Sequence, residues 1–536
     1  MSQKDASAKS LDRRKFLSTL GAGASSMALS TSCQGDAAPP KPNVVYFFSD
    51  THRWGAMSFT QTPQVQTPHM EALKNRGVSF DHCYVNLPIC TPYRALLLTG
   101  HWPWQQGLMA NHMTLAERVD LPDGAKTRGT LSWAFKSAGY RTSYFGKWHL
   151  GGNDARPFGF DHSVIWGGTN NHIKCRYSIN GEKWTNWEGE SNNTATVDQS
   201  LEWLDRTASH PDPFFLMISV NPPHGNMLDA PQDKNDLYPD TDTLPFHPND
   251  EVHDFDKHQG YHAHITDTDD EVGRLVDKLA ELGLSENTIF VYTSDHGGMS
   301  GIRGIEYGQK RNPEDESSRV PFLIEWPGVI PENVQLDCLF STIDHFPTIV
   351  GLANLNEHTR RRIKDPNIPD KDKYICDWMV GYMQGCPGND FSPQLRGEEG
   401  GPDPDSVFIM HPSNMNNNGS LAQPVFRGVV TKDWMYAVHS EGEYCLYSRK
   451  GKYLYPNLVD EPGHDKEKQE LQARLQQWID EAETPYIENW FKHTPEHWME
   501  KWYGKKGNGG NRDTGDRGIF DLQKILAKSI DTSTKI

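Results

Sequence analysis

None of the eight cysteines in this 536-residue chain forms a C-x-x-C pair, so the usual spacing of a cysteine-bound zinc site is missing. No uninterrupted apolar run reaches membrane-spanning length and mean hydropathy is −0.70, which predicts a soluble mature protein without a membrane span. Positive charge is the minority: 53 Lys and Arg against 71 Asp and Glu leave a net charge of −18. That balance disfavours non-specific attraction to nucleic acid or to anionic lipid. No internal repeat occurs at solenoid periods.

The length suffices for a large domain and a smaller one. Asp12-Arg13-Arg14-Lys15-Phe16-Leu17, followed by a short small-residue and apolar stretch from Ser18 to Ser32, has the layout of a twin-arginine export signal. It predicts a periplasmic or extracellular protein. Cys33 closes the stretch and offers a lipid-anchor site, but Ser30 stands where such signals place Leu, which ranks plain cleavage ahead. Export permits disulfides among Cys83, Cys175, Cys338, Cys376, Cys386 and Cys445.

Val44-Val45-Tyr46-Phe47-Phe48 is a continuous apolar run ending in Ser49-Asp50, as expected of a strand buried on both faces. The design recurs at Phe214–Ile218, followed by Asn221-Pro222-Pro223-His224, and at Thr288–Tyr292, followed by Ser294-Asp295-His296-Gly297. Helical patterns lie between: one after Thr67 as cap, ending at Gly77, and one from about Ile265 to Leu282. Alternating strands and helices predict an α/β fold with a large, mostly parallel sheet flanked by helices. From about Val407 short strand patterns predict a smaller antiparallel α+β subdomain, with a helix near Asp465–Trp478. The expected divisions are 1–38 export signal and linker, 39–400 catalytic domain, 401–490 C-terminal subdomain and 491–536 a loosely ordered extension.

Ligands in such sheets bind beyond the carboxyl ends of the strands. Asp50, His224, Asp295 and His296 all fall there, with the loop carrying Lys147-Trp148-His149. Asp50, Asp295 and His296 suit one divalent cation: hard oxygens favour Ca²⁺ or Mg²⁺, and the imidazole leaves Mn²⁺ or Zn²⁺ open. No second cluster of His and Asp ligands is visible in the sequence. Cys90 precedes a helix expected to start with Thr91 as cap and Pro92 in its first turn, and to stop at Gly100. The positive helix end would favour a thiolate or an anionic guest, and Arg94 adds a fixed cation one turn on. A lone cysteine is more often simply buried; the converging strand ends favour a nucleophile here.

Cys90-Thr91-Pro92-Tyr93-Arg94 resembles the Cys-x-Pro-x-Arg motif of type I sulfatases, of the alkaline phosphatase-like superfamily, with Tyr93 where Ser is most often found. The resemblance extends from Asn43 to about Asp460. It includes Ser49-Asp50, Gly146-Lys147-Trp148-His149-Leu150-Gly151, Asn221-Pro222-Pro223-His224, Thr293-Ser294-Asp295-His296-Gly297, and Lys310 ahead of Glu316-Ser317-Ser318-Arg319-Val320-Pro321. It implies that a maturing enzyme oxidises Cys90 to formylglycine, and that one Ca²⁺, ahead of Mg²⁺ or Mn²⁺, is held by Asp50, Asp295, His296 and the residue derived from Cys90. Thr51 departs from the second Asp common in the family. The implied catalytic set is Cys90, Arg94, Lys147, His149, His224 and Lys310: cations neutralise charge building on the ester, His149 acts as base in releasing sulfate, and His224 with Lys310 serves the departing alcohol oxygen.

The expected function is therefore sulfate ester hydrolysis, on a sulfated carbohydrate able to stack on loops such as His101-Trp102-Pro103-Trp104 and Trp184-Thr185-Asn186-Trp187. Two alternatives remain: a phosphate or phosphonate monoester hydrolase of the same superfamily, and a non-catalytic sulfated-glycan-binding protein whose Cys90 is never converted.

Overall fold

The computed structural model describes residues 41–483 apart from 107, 116–118, 121–125, 128, 169, 189–190, 412–424, 440–441 and 455. The twin-arginine motif, Cys33 and the extension from 491 onward lie outside the described residues.

The apolar run after Asn43 forms β1 (Asn43–Asp50), all of it buried. Side chains alternate across a strand, and those of β1 divide between two cores. Val44, Tyr46 and Phe48 enter one, Val45 and Phe47 the other. This is why the run is continuous rather than alternating. The remaining strands of the main sheet are β2 (Val78–Tyr84), β3 (Arg141–Lys147), β4 (His162–Trp166), β5 (Lys174–Ile179), β6 (Thr185–Glu188), β7 (Phe214–Pro223), β8 (Thr288–Ser294), β9 (Phe322–Glu325) and β10 (Val334–Ser341). Their order is β10-β2-β9-β8-β1-β7-β3-β4-β5-β6. The five strands β8-β1-β7-β3-β4 are mutually parallel; β9, β5 and β6 pair antiparallel with their inner neighbours.

Helices cover both faces. On one lies α2 (Cys90–Thr99), which sends Tyr93 and Ala95–Leu98 into the first core. On the other lie α1 (Pro68–Arg76), α3 (Asn192–Thr207) and α4 (Phe255–Glu281), which meet the second core through Met70, Leu73, Ala195, Val197, Val272, Leu275 and Leu279. The long helix α4 begins ten residues before its apolar pattern, because Asp254 caps it by accepting from the Lys257 amide. Thr67 does not cap α1: its hydroxyl donates to Ser58 Oγ instead.

A second sheet, β11 (Val407–His411), β12 (Phe426–Val430), β13 (Trp434–His439) and β14 (Gly442–Ser448), is antiparallel throughout. Helix α5 (Asp465–Trp478) occupies the expected span. One face of this sheet extends the first core through Phe408, Met410 and Leu446; the other packs against Tyr84 and Leu339.

Two expectations fail. Trp102 and Trp104 are not a glycan-stacking surface: they are buried and stacked on each other at 5.2 Å, with Trp102 edge-on to Phe408. In the other motif Trp187 packs on Tyr177, and Trp184 is exposed beneath Arg176. All seven described cysteines are free, so no disulfide joins them.

Candidate active site

Strand register brings the polar residues to one edge. Ser49 lies opposite Ser294, Asp50 opposite Pro223, and Gly146 opposite Ser219. The segments that leave β1, β8, β3 and β7 therefore emerge side by side. Close approach of β3 to β7 needs Gly146: at φ 100° a Cβ there would sit 2.0 Å from the Ser219 carbonyl oxygen, nearer than any real carbon contact.

Helix α2 delivers Cys90 in its first turn and stops at Gly100, which is left-handed at φ 63°. Thr91 does not cap it. The cap position is Ile89, while Thr91 donates through its hydroxyl to the His149 carbonyl at 2.8 Å and through its amide to Asn111 Oδ1 at 3.0 Å. The residue expected to start the helix instead ties it to the His149 loop.

Asp50, Cys90, Asp295 and His296 form one buried cluster whose ligand atoms all lie within 4.8 Å of one another. His296 Nδ1 donates to the Gly297 carbonyl at 2.8 Å, which fixes the tautomer and leaves the Nε2 lone pair facing the cluster. That Nε2 lies 3.2 Å from Cys90 Sγ, 3.6 Å from Asp50 Oδ1 and 3.4 Å from Asp295 Oδ1. Thr51 adds no carboxylate. Its hydroxyl donates to Asp50 Oδ1 at 2.9 Å and its amide to Asp295 Oδ1 at 3.2 Å. Two buried carboxylates, an imidazole with an aimed lone pair and the Cys90 position fit a hard divalent cation.

Arg94 closes the inner side of the cluster. Its Nη2 donates to Asp50 Oδ2 at 3.1 Å and to Asp295 Oδ2 at 3.0 Å; its Nη1 donates to the Lys147 carbonyl at 2.6 Å and to Ser219 Oγ at 2.7 Å. Lys147 Nζ meets Asp50 Oδ2 at 2.6 Å and Asn221 Oδ1 at 2.9 Å. Burial opposes ionisation of Asp50, yet Lys147 leads the cations that hold its carboxyl well below the usual range. Asp295 is pushed up to about 7, by burial and then by the Asp50 carboxylate. Burial and Asp50 also oppose a thiolate at Cys90, but Lys310, Lys147 and His296 together bring it well below an ordinary thiol.

The remaining predicted residues line the outer side. His149 sits at φ 54° with its Nδ1 buried and unpartnered, edge-on to His112 at 5.0 Å. Burial lowers its proton affinity. His224 follows β7, its Nδ1 also unpartnered, and burial, Lys147 and Lys310 hold it well below an ordinary imidazole. Among the described residues Lys310 Nζ is buried without a partner. A buried ammonium beside two buried imidazoles suits an anionic, oxygen-rich guest that accepts from the ammonium and from whichever imidazole nitrogens carry a proton. All the predicted site residues thus meet at one sheet edge, linked by direct contacts or by their effect on shared neighbours.

Some residues escaped the sequence reading. Ser219 and Asn221 hold Arg94 and Lys147, and Asn221 was visible only as part of a motif. A second cluster, His172, Asp229 and His264, corrects the expectation that no further His and Asp group exists. Its members come from a loop, a short 3₁₀ turn and the long helix α4 with no shared spacing, so the sequence carried no signal for it.

A family model described as Sulfatase matches residues 42–355. The chain is 31% identical over 454 residues, 82% of its own length and 81% of the relative's, to a protein named ulvan-active sulfatase from Formosa agariphila. It is similar to a solved protein in complex with its substrate D-glucosamine-2-N,6-O-disulfate, at a TM-score of 0.65 and 20% identity, covering 84% of this chain and 99% of that one. The phosphonate monoester hydrolase of Agrobacterium radiobacter superposes at 0.62 with 17% identity, covering 82% and 96%. At those identities the two structures speak for the fold alone.

Proposed function

This chain belongs to the sulfatase family and is a sulfuric ester hydrolase, and from that premise we propose that it is exported and removes sulfate from a carbohydrate, with a formylglycine made from Cys90 as nucleophile. The supporting observation is the set of four ligand atoms within 4.8 Å, with Arg94 and Lys147 bonded to its carboxylates and the buried Lys310 ammonium acting on both Asp50 and Cys90.

Asp50, Asp295, His296 and the residue derived from Cys90 would hold one Ca²⁺, which supplies Lewis-acid charge for the sulfuryl oxygens. A hydrated aldehyde at position 90 supplies a nucleophilic hydroxyl and a second hydroxyl whose deprotonation releases sulfate. Arg94 orients the two carboxylates with its planar fork. Lys147 and Lys310 bring positive charge to the ester oxygens, where charge builds in the transition state. His149, neutral because burial lowers its proton affinity, takes a proton from the group at position 90. His224 and Lys310 serve the departing alcohol oxygen. An anion bound between Lys147 and Lys310 offsets two of the cations that depress His224, which favours its protonated form in the substrate complex.

Sulfated carbohydrate is the proposed substrate class because one similar protein is named for activity on ulvan and another is solved in complex with a sulfated glucosamine as its substrate. The phosphonate hydrolase fold keeps the phosphoester reading as the rival. Two measurements decide. Mass spectrometry of the Cys90 peptide, from a host with a maturing enzyme, is expected to show –CHO in place of –CH₂SH; an intact thiol in active protein contradicts the nucleophile. Paired sulfate and phosphate esters of one alcohol are expected to show faster sulfate release; the reverse order favours the rival.

A further inference from the structure

His172, Asp229 and His264 lie behind the His224 turn. We propose that Asp229 and His172 are positioning residues for His224 and, through Asn221, for Lys147; the proposal rests on the leaving-group role assigned to His224 above.

The chain of contacts is short. Asp229 Oδ1 accepts from His172 Nδ1 at 2.6 Å, and its Oδ2 accepts from the His172 amide at 3.0 Å. His264 Nε2 approaches the same Oδ1 at 3.4 Å, and its ring stands edge-on to His172 at 4.5 Å. His172 Nε2, on the far side of the ring, lies 2.8 Å from the His224 carbonyl. Asn221 joins the two branches: its Nδ2 lies 3.0 Å from both His172 Nε2 and the His224 carbonyl, while its Oδ1 accepts from Lys147 Nζ at 2.9 Å. The turn is stitched on its other side too. The Asn226 amide donates to the Asn170 carbonyl at 3.3 Å, and Gly225, at φ 109°, leaves room for Asn170 beside it.

Among the described residues the His224 ring has no partner at Nδ1, so no hydrogen bond among them fixes its direction from that nitrogen. Its backbone must fix it, and the carbonyl of that backbone accepts from Asn221 Nδ2, whose second hydrogen is taken by the Nε2 lone pair of His172, the ring being held in that tautomer by its Nδ1–H bond to Asp229. Both imidazole side chains of the cluster are fully buried and the Asp229 side chain is 10% exposed. Burial opposes ionisation of Asp229, but the hydrogen bonds from His172 and His264 hold it well below the ordinary carboxylate range. An ionised carboxylate held by two imidazoles at this depth is suited to fixing an arrangement. Here it fixes the histidine serving the leaving oxygen and the amide holding Lys147.

The test uses the full chain from a maturing host, with Asp229→Asn and His172→Gln compared with wild type and His224→Ala. The substrates are 4-nitrophenyl, phenyl and 4-methoxyphenyl sulfate, whose leaving phenols are progressively less acidic. A displaced acid costs most where the leaving group most needs a proton. Asp229→Asn and His172→Gln are expected to lower kcat on the 4-methoxyphenyl ester about 10- to 100-fold, as removal of a supporting partner does elsewhere, with a much smaller loss on the 4-nitrophenyl ester and little change in KM. Proton and ¹⁵N NMR of the histidine rings supplies a readout independent of turnover: Asp229→Asn is expected to remove the low-field His172 Nδ1–H signal and to shift the His224 ring. Equal losses on all three esters, or an unshifted His224 ring, overturn the inference. If His224→Ala itself shows no leaving-group dependence, the underlying reading falls; if only His224→Ala shows it, the positioning inference alone falls.

Discussion

Thr51 holds a β-branched side chain at φ 75°, a conformation such residues rarely adopt. Its two hydrogen bonds to Asp50 and Asp295 repay that strain by holding both carboxylates in register. An Asp at this position would add an anionic oxygen, and short polar residues tolerate positive φ better. Thr51→Asp is expected to tighten Ca²⁺ binding about tenfold by calorimetry, since affinity follows the charge of the ligand set, and to lower the melting temperature of the metal-free protein. Lys310 provides the opposite case, a buried ammonium without a partner among the described residues. Lys310→Ala is expected to reduce kcat/KM by about 10²–10³, as loss of one transition-state donor does, while the melting temperature stays level or rises. A lysine serving only stability would give the reverse pattern. The pH profile carries a sign as well. Burial lowers the His149 pKa below 6.5, so the base is free at pH 7 and becomes protonated only on acidification. The kcat limb assigned to it by comparison with His149→Ala is expected on the acid side of 6.5; a limb above 7 contradicts the assignment.

Element placement explains how much of this was legible in the sequence. Each strand-to-loop transition, apolar run into Asp50, into Asn221–His224 and into Asp295–His296, marks a chain emerging from a two-sided core at the same sheet edge, so the main site could be read without coordinates. The cap of α2 could not, because Thr91 found a better partner in the His149 carbonyl. His172 and Asp229 could not either: they pair across 57 positions, and only folding of β5 and its neighbours beside the His224 turn brings them together. The aromatic reading failed for a related reason. Trp102 looks the same in a binding loop as in a core, and its burial depends on Phe408 arriving from the C-terminal sheet. Gly146 is the element-scale test. Gly146→Ala drives a Cβ into β7 and demands a positive φ, strain worth about 1–3 kcal/mol before any repacking. Its melting temperature is expected to fall together with activity, because the same displacement moves Lys147 and Ser219.

Across the whole molecule, the C-terminal sheet braces the loop that carries Lys310. Arg303 donates to Tyr447 Oη and, at 2.5 Å, to the Leu454 carbonyl, while Tyr444 Oη donates to Glu314 at 3.0 Å. The sheet also shares the first core with α2, so the site and the C-terminal unit are expected to lose structure together. Chelation probes the same coupling from the other side, because Asp50 and Asp295 are buried carboxylates at the carboxyl ends of two adjacent central strands, where a cation would offset their repulsion. Removing divalent metal is expected to lower the melting temperature and abolish turnover, and Ca²⁺ to restore both. The assignment of Cys90 as the source of the nucleophile is tested most directly by sulfate release from a sulfated oligosaccharide, measured for wild type and Cys90→Ala produced in the same maturing host. It predicts steady release by the wild type and none above background by the variant. Comparable release by Cys90→Ala would contradict it.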